Sequence, residues 1–444
     1  MERFTGLLGV ALILGIAFAL SNNRKAINYR LVLSGLALQL GLAVLILKVE
    51  PVRNFFRFLG HGMEKIESFA REGAKFVLGG VLPDSVELEK VFGAHKGFIF
   101  AFNIPATIIL VCVLVAILYH LGIMQRVVAF IARGVNIIMG ASGAEALSNV
   151  ASAFVGQVEA QVMIRPYLNG MTNSELLASM SGSMACIAGG ILIVYVNMGV
   201  PAEYLIAASL MAAPAALVIS KIVYPETAES QTKGKVTIHV TSQHSNLIDA
   251  ISHGAADGMK ISINVVAMLI GFIALIAMVN FLLGHLHPWI ENTINFAINT
   301  RAYMNHSITL ADWYSLPHVF DFLKDFSLNT IFGWIFYPLA YCMGVPAADA
   351  KQVAVLMGQK ISINEFVAYL NLTAIKETLT PKGMIIASFA LCGFANFSSV
   401  GMQIGGIGEL APHRRADLAK LGIRALICGT LASYLSATIA GILS

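Results

Sequence analysis

Two short stretches of this chain carry carboxylates and carboxamides inside otherwise apolar sequence. The first, Ser152-Ala-Phe-Val-Gly-Gln-Val-Glu159, lies in the apolar region between Ala141 and Pro166. Gly156 interrupts its helical run, and Gln157 and Glu159 place an amide and an acid in the middle. The second, Gly358-Gln-Lys-Ile-Ser-Ile-Asn-Glu-Phe-Val-Ala-Tyr369, repeats the pattern with Asn364 and Glu365. An ionisable group at membrane depth is expensive unless paired or wetted, so it marks a substrate or ion path by default. Broken backbone at that depth survives only when buried in protein or lining a cavity. A competing reading puts Glu159 at a lipid headgroup, paired with Arg165.

Each stretch is followed by an apolar helix that is itself interrupted. The interruptions are Cys186-Ile-Ala-Gly-Gly190 and Cys392-Gly-Phe-Ala-Asn-Phe-Ser-Ser399. Paired interrupted segments in corresponding halves point to the central site of a secondary transporter. Composition agrees. The chain of 444 residues is 57% hydrophobic and 12% charged, whereas soluble domains carry about 25% charged residues. That predicts a polytopic membrane protein and excludes a water-soluble enzyme. No basic, aromatic-interleaved face is present, so nucleic acid is not an expected partner. The five cysteines (Cys112, Cys186, Cys342, Cys392, Cys428) lie in apolar runs and read as small buried hydrophobes. There is no phosphate-binding loop ending in Gly-Lys-Ser/Thr, so ATP is not the expected energy source.

The elements that must position these residues follow in chain order. Thr5 to Leu20 and Leu31 to Leu47 read as the first two spans; the basic cluster Arg24, Lys25 and Arg30 follows the first run, where a signal peptide would have it precede. Val49 to Lys96, with Phe55, Phe56, Phe58, Phe69 and Phe76 among mixed charges, reads as a helix lying in the headgroup plane, or else as an extramembrane loop. Phe98 to Leu118 is the third span, and Arg126 and Arg133 flank an amphipathic segment after it. The first re-entrant hairpin is expected over Ser142 to Leu168, a broken helix over Leu176 to Val196, and a span over Glu203 to Val223. Pro225 to Lys260, taken to carry Lys221, Lys233 and Lys235, reads as a soluble loop; His239, His244 and His253 there have no metal-ligand spacing. Ile261 to Leu283 is a long span, and His285 to Asn329, with Trp289 and Trp313, an interfacial connector. The second hairpin is expected over Ile331 to Leu370, a broken helix over Met384 to Gly406, and a final span over Leu421 to Leu443.

The expected fold is therefore an all-α polytopic membrane protein: eight transmembrane helices, two opposed re-entrant helical hairpins and interfacial helices, with an inverted-repeat transport core. Basic residues in the short loops at Arg24–Arg30 and Arg414–Lys420 place those loops in the cytoplasm and both termini outside. The expected divisions are a scaffold of N-terminal spans and interfacial helices (1–140) and a transport part with the first hairpin and broken helix (141–223). A loop, long helix and connector follow (224–330), then the second hairpin, broken helix and last span (331–444).

Specific motifs carry a resemblance. Val155-Gly-Gln-x-Glu159, Ile164-Arg-Pro-Tyr167, Met171-Thr-x-Ser-Glu175, Asn364-Glu-Phe-Val-Ala368 and Phe394-Ala-Asn-Phe-Ser-Ser399 are similar to signature segments of the concentrative nucleoside transporters. So are Ser21-Asn-Asn-Arg-Lys-Ala-Ile27, Ala267-Met-Leu-Ile270 and Leu410-Ala-Pro-His-Arg-Arg415. The chain is thus identified as a member of that family along nearly its whole length. The resemblance implies import of nucleosides, uridine and its relatives, across the inner membrane by a cation symporter. It also implies elevator-type alternating access and a homotrimer built on the helix at Ile261 to Leu283. For the ribose it implies Glu365, Asn396 and Ser399. For the base it implies the first hairpin's Gly156, Gln157, Val158 and Glu159, with Ile191 and Phe394 packed nearby.

No cofactor is implied beyond the coupling ion, proton or sodium. The resemblance puts sodium at Ser152, Val158 and Cys186, with Val155 and Ile187 as carbonyl donors. Val158 and Cys186 replace oxygen-bearing side chains of the sodium-coupled members, so a proton is the favoured ion and sodium the alternative. Three other functions compete. A channel would expose polar residues along one pore, but here polarity is confined to two hairpins and two broken helices. A carrier of anions would want Arg or Lys at the site, and only Lys360 is near. An intramembrane hydrolase would need a Ser-His, Asp-Asp or zinc constellation, and the apolar helices have no His to supply one.

Overall fold

The computed structural model describes residues 2–79, 85–92, 99–233, 245–285 and 327–444. Regular structure among them is helical. At the N-terminus, α1 (Glu2–Ala19) and α2 (Tyr29–Lys48) are joined by a turn in which Asn28 caps α2, its side chain accepting from the Leu31 N–H at 3.2 Å. Next come α3 (Glu50–Leu78), α4 (Ser85–Phe92), α5 (Phe100–His120) and α6 (Ile123–Met139). The segment after Val49 is thus a helix and not a loop. α3 buries Ala70 and Ala74 and leaves Phe55, Phe58, Phe69 and Phe76 exposed, the two-faced pattern of a helix lying at a membrane surface.

Two halves then follow one order. After α6 come α7 (Gly143–Ser152), the single turn α8 (Glu159–Val162), α9 (Asn173–Ala185), α10 (Gly189–Asn197) and α11 (Ala202–Val223). α12 (Leu247–Gly284) intervenes. The second half has α13 (Leu328–Cys342), α14 (Ala347–Ser362), α15 (Glu365–Ile375), α16 (Pro381–Leu391), α17 (Phe397–Leu410) and α18 (Arg415–Leu443). Each half reads helix, hairpin, broken helix, long helix. Both breaks fall where the sequence puts them, at Cys186–Ala188 and Cys392–Asn396.

Three expectations need correction. Ile331 does not begin the second hairpin: it lies in α13, a separate helix packed on α14, and the hairpin arms are α14 and α15. Gly344, with φ of +91°, makes the turn that separates α13 from α14. Second, the polar stretch before Lys260 is not all loop. α12 starts at Leu247, where Asn246 caps it by accepting from the Asp249 N–H at 2.9 Å. His253 lies on this helix, exposed, with Asp249 at 3.4 Å, while His239, His244, Trp289 and Trp313 lie outside the described residues. Third, Lys221, which the loop was expected to display, is buried near the end of α11 and pairs with Glu145 of α7 at 2.7 Å.

α11 and α18 form the centre and are buried along most of their length. The small side chains Ala207, Ala208, Ala212, Ala215 and Ala216 let neighbours approach α11 closely, as membrane helices require in the absence of a hydrophobic drive. Gly254 and Gly258 do the same for α12. A Cβ on either would press on the backbone of α5, at Val113 and Ile109. The opposite face of α12 exposes Ile263, Ile270, Met278 and Phe281. Among the described residues five helices are long and apolar enough to span a membrane: α2, α5, α11, α12, and α18 with the turn before it. α1 and the pieces of the two broken helices are shorter.

Candidate functional site

The site forms where four helix ends meet, and each end is shaped by a side chain that stops or starts a helix. Asn364 occupies the tip of the second hairpin and caps α15, accepting from the Val367 N–H at 2.9 Å. Asn396 ends the second break and caps α17 in the same way, accepting from the Ser399 N–H at 2.9 Å. Asn is among the best residues for this position. The cap commits the amide oxygen of Asn396 and leaves its NH2 group free to point elsewhere. It points at Glu365, donating to Oε2 at 3.1 Å. The other carboxylate oxygen accepts from the Tyr195 hydroxyl of α10 at 3.0 Å. Glu365 is buried, and two donors offset part of the cost of removing its charge from water.

From Asn396 the polar chain crosses to the first hairpin. Ser399, fully buried one turn into α17, accepts from the Gln157 side-chain amide at 3.3 Å. Gln157 in turn accepts from Gln403 at 3.3 Å, and Gln403 also donates to the Met180 carbonyl of α9 at 3.2 Å. The structure therefore brings together Glu365, Asn396, Ser399 and Gln157, residues drawn from both hairpins and the second broken helix. The breaks themselves touch. The Phe394 N–H donates to the Cys186 carbonyl at 3.3 Å, and Gly393, with φ of +115°, has no room for a Cβ against the Ala185 carbonyl.

The remaining expected site residues stand apart from this chain. Ile191 and Phe394 are half-buried and pack against the core. Val158 is half-buried, its methyls against Gly406 of α17. Glu159 is exposed, and its carboxylate folds over the half-buried Gly156 so closely that any side chain at 156 would overlap it. No ion pair joins Glu159 to Arg165 among the described residues.

The positions expected for sodium offer few free oxygens. Ser152 donates to the Ser148 carbonyl at 2.7 Å and lies 2.9 Å from the Ser183 hydroxyl. The Cys186 thiol is directed at the Ser209 carbonyl at 3.6 Å, and the Ile187 carbonyl accepts from the Ser209 hydroxyl at 3.2 Å. Val155 is buried, and Val158 has no oxygen in its side chain. A hard cation needs a shell of oxygen ligands. Ser152 is the one hydroxyl among these side chains, so the set fits sodium poorly.

Comparison with known proteins agrees along the whole chain. Family models match in sequence order: the "Na+ dependent nucleoside transporter N-terminus" over residues 8–81, "Nucleoside recognition" gate over 101–202, and "Na+ dependent nucleoside transporter C-terminus" over 204–441. The nucleoside permease NupC of Helicobacter pylori is 35% identical, with 98% of this chain and 96% of that protein aligned. The chain belongs to the concentrative nucleoside transporter family. An uncharacterized transporter of Haemophilus influenzae is 40% identical over 100% of this chain and 98% of its own length. The solved structure of CNTnw in an inward-facing substrate-bound state superposes with a TM-score of 0.87 at 38% identity, covering 100% of this chain and 98% of that one. This transporter is a multi-pass inner-membrane protein and not an enzyme.

Sequence reasoning missed four polar residues of the site region: Tyr195, Gln403, Gln161 and Ser183. One signal for Gln403 was present, since it lies four residues after Ser399 and so on the same helix face. Tyr195 had no such signal, because its partner Glu365 is 170 residues away. Gln161 donates to Ser183 at 2.7 Å and accepts from Ser179 at 2.6 Å. These bonds tie the second arm of the first hairpin to α9, where the sequence shows only scattered serines.

Proposed function

We propose that this transporter imports nucleosides such as uridine, holding the ribose with Glu365, Asn396 and Ser399 and the base with the first hairpin, and that protons drive it. The observation that carries the reading is the hydrogen-bonded chain Glu365–Asn396–Ser399–Gln157. A ligand with vicinal hydroxyls at one end and a flat amide-rich base at the other needs such a sequence of groups. A carboxylate accepts hydroxyls through stronger, charge-assisted bonds, and Gln157 offers both a donor and an acceptor to a base. Glu159, beside it and exposed, is assigned to the base end, with Gly156, Val158, Ile191 and Phe394 as the apolar wall.

Proton drive is favoured by the same geometry. Glu159, exposed at the base end, is a carboxylate that can take the proton while Glu365 keeps its charge for the sugar. The sodium positions, by contrast, lack side-chain oxygen at Val158 and Cys186. Both hairpins, both broken helices and the long helices α11 and α18 are assigned to the moving part. Residues 1–140 and 224–330 are assigned to a scaffold that forms a homotrimer through the exposed face of α12. Uptake of radiolabelled uridine into vesicles tests the reading, with unlabelled nucleosides as competitors. Uptake should persist without sodium, collapse with a protonophore and fall as external pH rises. A steep sodium dependence at constant pH would reassign the ion to the site around Ser152. Absence of any nucleoside uptake would overturn the substrate.

A further inference from the structure

Lys360 of α14 lies five residues before Glu365 and is wholly buried. A buried ammonium ordinarily faces a carboxylate, because an unpaired charge taken out of water is costly. Among the described residues none stands within ion-pair distance of it. Its three donors go instead to neutral oxygens: the Ala390 carbonyl at 2.9 Å, the Cys392 carbonyl at 3.1 Å and the Ser433 hydroxyl at 2.8 Å. The Tyr434 ring stands 5.6 Å from it. Lysine has three N–H donors and no acceptor, so this shell is complete.

Two of these oxygens belong to the end of α16, where the second broken helix stops. Carbonyls at a helix C-terminus have no partner within the helix and carry the negative end of its dipole. The ammonium supplies both the missing donors and the balancing charge. Four residues beyond Cys392 the chain reaches Asn396, and five residues beyond Lys360 the hairpin reaches Glu365. One side chain thus ties together the two strands of backbone that carry the Glu365–Asn396 pair.

The first half shows what is unusual here. There the break is held by Ser209 of α11, which accepts from the Ile187 N–H at 3.1 Å and donates to the Ile187 carbonyl. Ser433 of α18, on the long helix that follows the second break, reaches that break only through Lys360, from which it accepts, while its own hydroxyl donates to the Gly429 and Thr430 carbonyls. The arm α7, however, ends Ser148-Asn-Val-Ala-Ser152 and has no lysine. The second half alone brings its own cation to the unwound segment.

We propose that Lys360 is a positioning residue for ribose recognition, a built-in cation that sets the spacing of Glu365 and Asn396. The inference rests on the assignment of that pair to the sugar. A lysine that only stabilised the fold would, when removed, lower transport of every nucleoside alike. A positioning lysine would change the discrimination between nucleosides that differ by one hydroxyl.

The experiment measures KM for uridine, 2′-deoxyuridine and 3′-deoxyuridine in vesicles holding the wild-type transporter, Lys360→Met or Ser433→Ala, each normalised to assembled protein. A hydroxyl bound to a charged acceptor is worth about tenfold or more, so the wild type should reject at least one deoxy analogue by that factor. Lys360→Met should bring the ratio to about twofold or less, and Ser433→Ala, which removes one of three acceptors, should narrow it roughly threefold. Wild-type ratios in Lys360→Met, with uptake of all three substrates lowered in proportion, would overturn the inference alone. If Lys360→Met does not assemble, an unchanged ratio in Ser433→Ala overturns it. A wild type indifferent to both hydroxyls would remove the ribose assignment itself, and this inference with it.

Discussion

Replacing Glu365 by Gln removes a charge and keeps a shape, so its consequences can be worked from the contacts. In the wild type the carboxylate accepts from Tyr195 at 3.0 Å and from Asn396 at 3.1 Å. The amide oxygen of Asn396 is already committed to the Ser399 N–H and the Ser398 hydroxyl, at 2.9 and 2.7 Å, so Asn396 can only donate. A glutamine at 365 would therefore turn its oxygen to Asn396 and its NH2 to Tyr195, whose hydroxyl rotates to accept. Every bond survives, and no buried charge is left stranded; assembly and thermal stability should hold. The effect falls on the ligand. A carboxylate has about four lone-pair sites, and two stay open for hydroxyls. A hydrogen bond to a charged group is worth about 1.5–3 kcal/mol against about 0.5–1.5 kcal/mol for a neutral one. Two ribose hydroxyls would thus lose about 2–3 kcal/mol together, roughly a 30- to 150-fold loss of affinity. Titration of purified Glu365→Gln with uridine measures the affinity, and uptake into vesicles measures its consequence for transport. Uridine binding and uptake unchanged from wild type, in protein that assembles normally, would refute the assignment of this carboxylate to the sugar.

Asn396→Ala should abolish uptake, and Asn396→Ser separates its two roles: serine restores the helix cap, worth about 0.5–2 kcal/mol, but not the donor to Glu365, so stability should return without uptake. Gly156→Ala should assemble yet lose most uptake, because the added methyl displaces the Glu159 carboxylate; normal transport by this variant would show that Glu159's placement is irrelevant. Single cysteines placed along 142–168 should react from one face of the membrane only, and those along 347–370 from the other. Either segment labelled from both faces along its length would end the re-entrant reading.

What could be read from the sequence were the places where local chemistry contradicts its surroundings. Gly156, Asn364, Cys186 and Cys392 each interrupt an apolar helix, and the structure breaks the chain at each of them. A helix that ends inside a membrane must satisfy its own terminal groups, and Asn at the first position of a new helix does so whatever surrounds it. Asn364 and Asn396 were for that reason legible without knowing what they face. The start of the second hairpin was missed although Gly344 and Pro346 mark the turn between α13 and α14, because the apolar run on either side reads as one element. Lys221 was misread for a related reason: it stands four residues before the polar stretch that opens at Pro225, but its partner Glu145 is in another helix.

The same distinction accounts for Tyr195 and Lys360. Each makes its decisive contact with a residue far away in the chain, so spacing says nothing of it. Lys360 was visible as a basic residue near the site, which invited the thought of an anionic substrate. Its geometry argues otherwise, because all three of its donors are taken by protein oxygens and none is left for a ligand. On the assignment proposed above, a positive charge fully consumed in holding open a helix break leaves the carboxylate of Glu365 to face the substrate. A site so built should select neutral, hydroxyl-bearing solutes over anions.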